Sequence, residues 1–373
     1  MTKTTEIQPG QNYLEYLDGL RAVAALWVML YHAYLILLGF PDIPWYLGFV
    51  DWIRHGHFAV GLFIVISGFC LTIPITKKKK MYPEAKTFYL RRAIRILPPL
   101  YITLIIAITS QFAYQILSKN YQKPDIAAII FSIFLVQDIF PNHSYPAQWL
   151  WTVNLEFRLY LVFPLIIHFL LIRGPYIVAL AGLVAGGILT AFCAFYASYK
   201  SWELCSPWYL FLFTLGIYSC WVSHKPKISS IEENSHYISI FTLIILIILC
   251  KLIPISSKLG VILLPFSDSL LGIATAYGLI AISRNKSSIF RRLLTTKPLT
   301  SLGKISFSLY LVHLFFIYCF QIAYRHQDIT SNKYVAFVIS IFGCLILAFI
   351  FFKTVEEPFI SLLSKLKSRT VQE

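Results

Sequence analysis

Hydrophobic residues in this chain run in long blocks. Segments of about 20 mostly apolar residues, the length that crosses a bilayer as a helix, recur near 20–40, 58–76, 94–117, 150–172, 176–198, 207–223, 237–255, 260–283, 302–324 and 334–353. An eleventh candidate, Ile126–Val136, ends after eleven residues at Gln137 and Asp138. A segment that short reads as re-entrant or packed against other helices. The pattern predicts an all-α polytopic membrane protein with about ten transmembrane helices and one short re-entrant or buried helix. No internal repeat, low-complexity linker or separate soluble domain breaks it. Residues 1–373 therefore read as one membrane domain, with its transmembrane core over about 18–356 and short tails. Met1–Gln11 is polar and lacks a signal-peptide pattern, so Leu20–Phe40 is expected to stay as a helix.

Composition agrees. Of 373 residues, 58% are hydrophobic, 16% aromatic and 13% charged, and mean hydropathy is +0.69. Soluble domains carry about 25% charged residues, so a disordered chain, a coiled coil and an ordinary cytosolic enzyme are excluded. The seven cysteines are scattered without a C-x-x-C pair and read as small buried hydrophobes, not as metal ligands or disulfides.

The net charge of +15, from 32 Lys+Arg against 17 Asp+Glu, fits either nucleic-acid binding or membrane topology. Its distribution decides. With ten spans and a cytoplasmic N-terminus, 22 basic residues fall inside: Lys3, Lys77–Lys80, Lys86, Arg91, Arg92, Arg95, Arg173, Lys225, Lys227, Arg284, Lys286, Arg291, Arg292, Lys297, Lys304, Lys353, Lys365, Lys367 and Arg369. Eight fall outside: Arg54, Lys119, Lys123, Lys200, Lys251, Lys258, Arg325 and Lys333. Arg21 and Arg158 lie at or inside helix ends. A span at 126–136 would move the basic loop 284–304 outside, against the positive-inside rule. Ten spans with both termini in the cytoplasm result, and nucleic acid need not be invoked.

Ionisable residues inside spans are costly and mark functional sites by default. Arg21 and His32 differ by about 20° around the first helix and by roughly 16 Å along it. They therefore share a face, with Asp18 one turn before Arg21. In the bland reading Arg21 snorkels, Asp18 caps and His32 bonds a neighbouring helix. Ser67-Gly68 reads first as a helix-packing pair, though a glycine beside a serine also permits close approach of a ligand. Arg91 and Arg95 stand four apart, with Arg92 three before Arg95. They are either a topology signal or a cationic rim whose guanidinium forks suit phosphate. Glu156 and Tyr160 are one turn apart, with Asn154 and Arg158 nearby. An internal Glu156–Arg158 ion pair competes there with an acceptor-hydroxyl site opening outward. His313 brings a second histidine to mid-depth, and Val355-Glu-Glu-Pro-Phe359 closes the last helix with proline as a stop signal.

Six motifs occur in order across nearly the whole chain: Arg21-x10-His32, Phe63-x3-Ser67-Gly68-Phe69, Arg91-x3-Arg95 with Pro98, Trp151-x4-Glu156-x3-Tyr160, Tyr310-Leu-Val-His313 and Val355-Glu-Glu-Pro-Phe359. Together they resemble the acyltransferase-3 family of integral membrane O-acyltransferases. The resemblance implies a ten-helix protein, mainly of the bacterial inner (plasma) membrane. It implies transfer of an acyl group, often acetyl, from cytoplasmic acyl-CoA to a hydroxyl of a cell-surface glycan or glycolipid such as an exopolysaccharide or O-antigen. It also implies that His32 is the catalytic residue and Arg21 its essential partner. Two positions depart from the family pattern. Ala59-Val60-Gly61 stands where Gly-Val-Asp is common, and Phe157-Arg158 stands where a second acid and an amide are usual. The family's hydrolase-like extension is not expected here, and the membrane unit is expected to stand alone.

The resulting expectation is a membrane-bound O-acetyltransferase with no bound cofactor or metal and with acetyl-CoA as co-substrate. Its partners would be acyl-CoA, a glycan or lipid-linked sugar and membrane lipids. Catalysis is assigned to His32 and Arg21, and acyl-CoA binding to Arg91, Arg92, Arg95 and Ser67. Acceptor binding is assigned to Glu156, Asn154, Tyr160 and His313. His32, neutral near pH 7, takes the proton of the acceptor hydroxyl, or forms a transient acyl-His. Ser67, His313 and Tyr31 are candidate oxyanion donors. The alternatives are a transporter or flippase of a glycan or lipid, whose path the buried charges would line, and an acyltransferase acting on a non-sugar acceptor.

Overall fold

The computed structural model describes residues 15–39, 50–78, 84–117, 125–140, 148–196, 205–226, 228–253, 257–327 and 332–369. Lys3, Lys79, Lys80, Lys119, Lys123, Lys200 and Lys227 of the charge partition lie outside them, as does Met1–Gln11. Among the described residues every regular element is helical. In chain order the helices of six residues or more are α1 (Glu15–Ala33), α2 (Gly56–Lys78), α3 (Ala85–Leu117), α4 (Ile126–Ile133), α5 (Trp151–Arg173), α6 (Pro175–Tyr196) and α7 (Tyr209–Ser223). There follow α8 (Ser235–Leu252), α9 (Leu264–Arg284), α10 (Ile289–Leu294), α11 (Lys297–Lys304), α12 (Ser306–Gln327), α13 (Lys333–Phe351) and α14 (Glu357–Arg369).

Nine of the described helices are long and apolar enough to cross a membrane: α1, α2, α3, α5, α6, α8, α9, α12 and the stretch Lys333–Leu363 that begins with α13. The protein is integral to a membrane. Its outer helices say so directly, since Phe192, Phe195, Phe241 and Phe342 all face outward, where hydrocarbon is their natural solvent. The tenth expected span, 207–223, is the 15-residue α7. At 1.5 Å per residue it rises roughly 22 Å, less than a bilayer core. It tolerates that shortness because protein surrounds it: all its residues except Leu210, Trp221 and Ser223 are buried. A Cβ on Gly68 of α2 would lie 2.2 Å from the Phe213 carbonyl oxygen, and one on Gly216 of α7 would lie 2.0 Å from that of Val65. The two helices therefore cross in backbone contact, a small-residue seam of the kind membrane helices use.

The interrupted segment behaves as its length dictates. α4 has eight residues, capped by the Asp125 carboxylate on the Ala128 N–H at 3.1 Å. It rises only about 12 Å. The chain then turns at Leu135, with φ 60°, and buries Gln137 and Asp138.

Two helices switch locally to the wider π form: α1 continues after Ala33 as Tyr34–Leu38, two residues past His32, and α13 continues as Phe352–Glu356. π-turns concentrate at functional sites. The second also changes the reading of Pro358 as a stop. α14 resumes at Glu357 without a break, so the helical backbone runs through Pro358 directly after the wider turn.

Contacts gather one end of the bundle. The Tyr16 hydroxyl lies 2.8 Å from Ser283 Oγ, and Arg291 stands over the Tyr16 ring at 5.2 Å. The Ser308 hydroxyl donates to Glu356 Oε2 at 2.5 Å. The first two turns of α1, the end of α9, α10, α11, the start of α12 and the second π-turn thus share this end. Arg21, Arg284, Arg291, Arg292, Lys297, Lys304 and Lys353 lie on these elements, which makes this end strongly basic.

Candidate functional site

At the basic end the helices leave a cavity of about 380 Å³. Each of the six motifs contributes at least one residue to it. Arg21 comes from α1, Phe63 and Ser67 from α2, Arg92 and Arg95 from α3, Glu156 and Tyr160 from α5, and Tyr310 from α12. Glu356 of the second π-turn completes the set, and Asp18, Cys70 and Lys304 add further polar lining.

Helical phase selects which motif residues arrive. Phe88, Ile96 and Leu100 are buried, so the inward stripe of α3 passes through residue 92. Arg92 is half-buried with its guanidinium 5.7 Å from the Phe88 ring centroid and 5.4 Å from that of Tyr160. Arg95 lines the cavity from an exposed position, whereas Arg91 is exposed and outside the lining. The expected rim is thus Arg92 and Arg95. On α2, Ser67 and Gly68 have separate roles: Gly68 packs on α7, and Ser67 faces the cavity. Ser67 donates to Glu156 Oε1 at 2.7 Å, and its oxygen is 2.6 Å from the Tyr160 hydroxyl. Tyr160 bonds the same carboxylate. Arg21 bonds Asp18 Oδ1 at 3.1 Å and lies 3.3 Å from Cys70 Sγ.

The residues expected to share an acceptor subsite separate into three places. Glu156 and Tyr160 share the cavity with the arginines. Asn154 is fully buried outside the lining, with its amide 3.5 Å from Asp138 Oδ1. His313 is buried against His32. The Glu156–Arg158 pair does not form. Residues two apart on a helix point about 200° away from each other, and Arg158 binds both oxygens of buried Asp138 instead. Breaking a buried pair strands one charge and costs about 3–5 kcal/mol. Arg158→Met should therefore lower thermal stability in detergent by roughly that amount, and adding Asp138→Asn should restore much of it. Equal melting of wild type and Arg158→Met would remove this pair from the account.

His32 is half-buried and lies outside the cavity lining. Its Nδ1 is 3.0 Å from the Val28 carbonyl oxygen and 3.1 Å from His313 Nε2. His313 Nδ1 is 2.7 Å from the Tyr310 carbonyl oxygen and 3.1 Å from that of Leu309. Tyr310, which lines the cavity, is thus one turn from the histidine pair. Its hydroxyl bonds the Trp149 carbonyl and fixes the chain just before α5. Tyr31 crosses the His32 ring edge-on at 4.8 Å.

Sequence reasoning missed Asp138, Lys304 and the buried Glu356. For Asp138 and Glu356 the signal was an acid within or beside an apolar run. At the opposite end it also missed buried Asp268, which accepts from Trp208 Nε1 at 2.8 Å and lies 3.6 Å from His57 Nε2. Among the described residues no three His, Cys, Asp or Glu side chains gather as metal ligands.

Comparison with known proteins identifies the family. The family described as an acyltransferase domain matches residues 14–353. O-acetyltransferase OatA of Staphylococcus aureus (strain NCTC 8325 / PS 47) is 26% identical over 377 residues, covering 95% of this chain and 58% of the relative. Peptidoglycan O-acetyltransferase OatA of Listeria monocytogenes serovar 1/2a is 30% identical over 178 residues, 44% of this chain and 25% of that protein. A putative O-acetyltransferase, SACOL0978, of Staphylococcus aureus (strain COL) is 29% identical over 172 residues, 43% of this chain and 26% of the relative. The chain spans 58% of the length of the first of these relatives. No solved structure matches it.

Proposed function

The chain belongs to the acyltransferase-3 family, and from that premise we propose that it transfers an acetyl group from acyl-CoA to a sugar hydroxyl of a cell-surface glycan. The observation that carries this reading is the convergence of all six motifs on one cavity lined by Arg21, Arg92, Arg95 and Lys304. Arg92, Arg95 and Lys304 present cations to the nucleotide phosphates, and arginine forks suit phosphate bidentately. The cavity is near the lower limit of small-molecule sites, so it suits the narrow pantetheine arm better than the nucleotide. Arg21 lies along that arm. The arm's far end approaches Tyr310, one turn from His313 and His32.

His32 acts as general base. It takes the proton of the acceptor hydroxyl while the oxygen attacks the thioester carbonyl. The tetrahedral intermediate collapses with cleavage of the C–S bond, and the thiolate leaves with the proton that His32 held. The ester and CoA thiol result, with no net proton change. Ser67, Glu156 and Tyr160 orient groups inside the cavity. The relatives named as O-acetyltransferases, one of them for peptidoglycan, support acetyl as the group and a glycan as the acceptor. The basic end faces the cytoplasm of a bacterial plasma membrane, as the positive-inside rule asks, and both termini lie on that side.

Sided vesicles test this. Inverted membranes given [14C]acetyl-CoA should acquire alkali-labile label in their glycan fraction, and right-side-out membranes should not. Movement of glycan across the vesicle membrane without any acetyl transfer would overturn the proposal in favour of a transporter.

A further inference from the structure

We propose that His313 is a positioning residue that fixes the tautomer of His32, so that the reactive lone pair sits on His32 Nε2. The proposal rests on the reading of His32 as base. It replaces the expectation that His313 contacts the acceptor, and it follows from counting protons along a chain of three contacts.

His313 Nδ1 faces the carbonyl oxygens of Tyr310 and Leu309, at 2.7 and 3.1 Å. Carbonyls only accept, so this nitrogen carries the hydrogen and, in the neutral ring, Nε2 carries the lone pair. That lone pair is 3.1 Å from His32 Nδ1, which is also 3.0 Å from the Val28 carbonyl oxygen. Two acceptors converge on one nitrogen, so His32 Nδ1 carries the hydrogen and donates to both. The remaining nitrogen, His32 Nε2, bonds no described residue and is left unprotonated.

This is the logic of a base oriented by a third group, with a neutral imidazole in the place usually held by a carboxylate. When His32 Nε2 takes the acceptor's proton, its Nδ1–H bond to His313 becomes charge-assisted and stronger. A neutral orienter stabilises the imidazolium less than an anion would. The proton is therefore readily returned to the departing thiolate.

The seam around the pair is built to hold it. His313 is 1% exposed, and its own carbonyl lies 3.6 Å from Cys344 Sγ. Two turns further along α12, Gln321 donates to the Ile36 carbonyl at 2.8 Å. Ile36 belongs to the π-turn that follows His32, so α12 holds this helix just before and within the wider turn.

The test uses the full chain in nanodiscs. In 15N spectra of histidine-labelled wild-type protein, His32 should show a protonated Nδ1 and an unprotonated Nε2; the reverse assignment would overturn the proposal. Kinetics give a second reading. His313→Asn keeps a donor to the Tyr310 carbonyl, but its amide is too short to place an acceptor against His32 Nδ1, so kcat should fall about 10²–10³-fold with both KM values nearly unchanged, in line with losses seen when an orienting partner is removed. His313→Gln can offer its amide oxygen to His32 Nδ1 and should recover most of that loss. A His313→Asn enzyme with wild-type kcat, or a loss confined to the acceptor KM, would overturn the positioning role while a dead His32→Ala enzyme left the base intact. An active His32→Ala enzyme would instead remove the base itself.

Discussion

Replacing His32 by Ala is expected to lower kcat for acetyl transfer by about 10³-fold or more, near the upper range of what one general base supplies. The protein should still fold. The side chain contributes a hydrogen bond to His313, which is worth only about 1 kcal/mol net, and the truncation lies at a half-buried site. Binding of acetyl-CoA should persist, because the cavity that holds the phosphates and arm does not include His32. The informative comparison is therefore calorimetric titration with acetyl-CoA beside single-turnover transfer on the same purified variant. Intact binding with abolished transfer is the expected pair of results. Wild-type transfer would sink the role.

The second large effect lies in the cavity itself. Arg92→Gln with Arg95→Gln should raise the KM for acetyl-CoA by about 10²–10³-fold, since each charge-assisted contact to phosphate contributes roughly 1.5–3 kcal/mol. The effect should depend on which donor is used. Acetyl-pantetheine, which has the thioester but no nucleotide, should be a poor donor for wild type and an equally poor one for the double variant. Arg91→Gln, on the exposed face of α3, should change the KM for acetyl-CoA by less than about threefold, as rim charges do. Equal losses with both donors would place the arginines in folding or chemistry instead of phosphate binding.

The sequence makes some of this site legible and hides the rest for physical reasons. Block hydrophobicity predicts the membrane helices because length and apolarity are local properties. It also identifies α4 as too short to span. The order of motifs predicts which helices contribute. Helical phase was readable too, though Arg91 and Arg95 were paired by spacing alone. Phe88, Ile96 and Leu100 are apolar at intervals that turn residue 92 inward, and a wheel drawn through them separates Arg92 from Arg91. The same geometry excludes the Glu156–Arg158 pair, since residues two apart do not face each other.

Tertiary pairing was not readable. Nothing near Arg158 in sequence announces Asp138 twenty positions earlier, because the partner is delivered by a turn at Leu135 with left-handed backbone. Nothing in the spacing of Arg21 and His32 tells that one lines the cavity while the other lies against α12. A continuous helical face predicts one environment, but Arg21 meets α2 at Cys70 while His32 meets α12 at His313. The same holds for Ser67 and Gly68. One glycine is consumed by the crossing with α7, and that crossing turns its neighbour toward Glu156. Glu356 was hidden by a reasonable rule, since a proline two residues later is a stop signal in most helices. Here a π-turn absorbs the change and leaves the acid facing Ser308.

One measurement bears most directly on the central claim. Purified protein in liposomes, given acetyl-CoA and an oligosaccharide acceptor, should release one free thiol for every alkali-labile ester formed on the sugar. Both signals should vanish when the acceptor is omitted. Thiol release that proceeds equally without acceptor, or sugar translocation with no ester formed, would contradict acyl transfer as the function of this cavity.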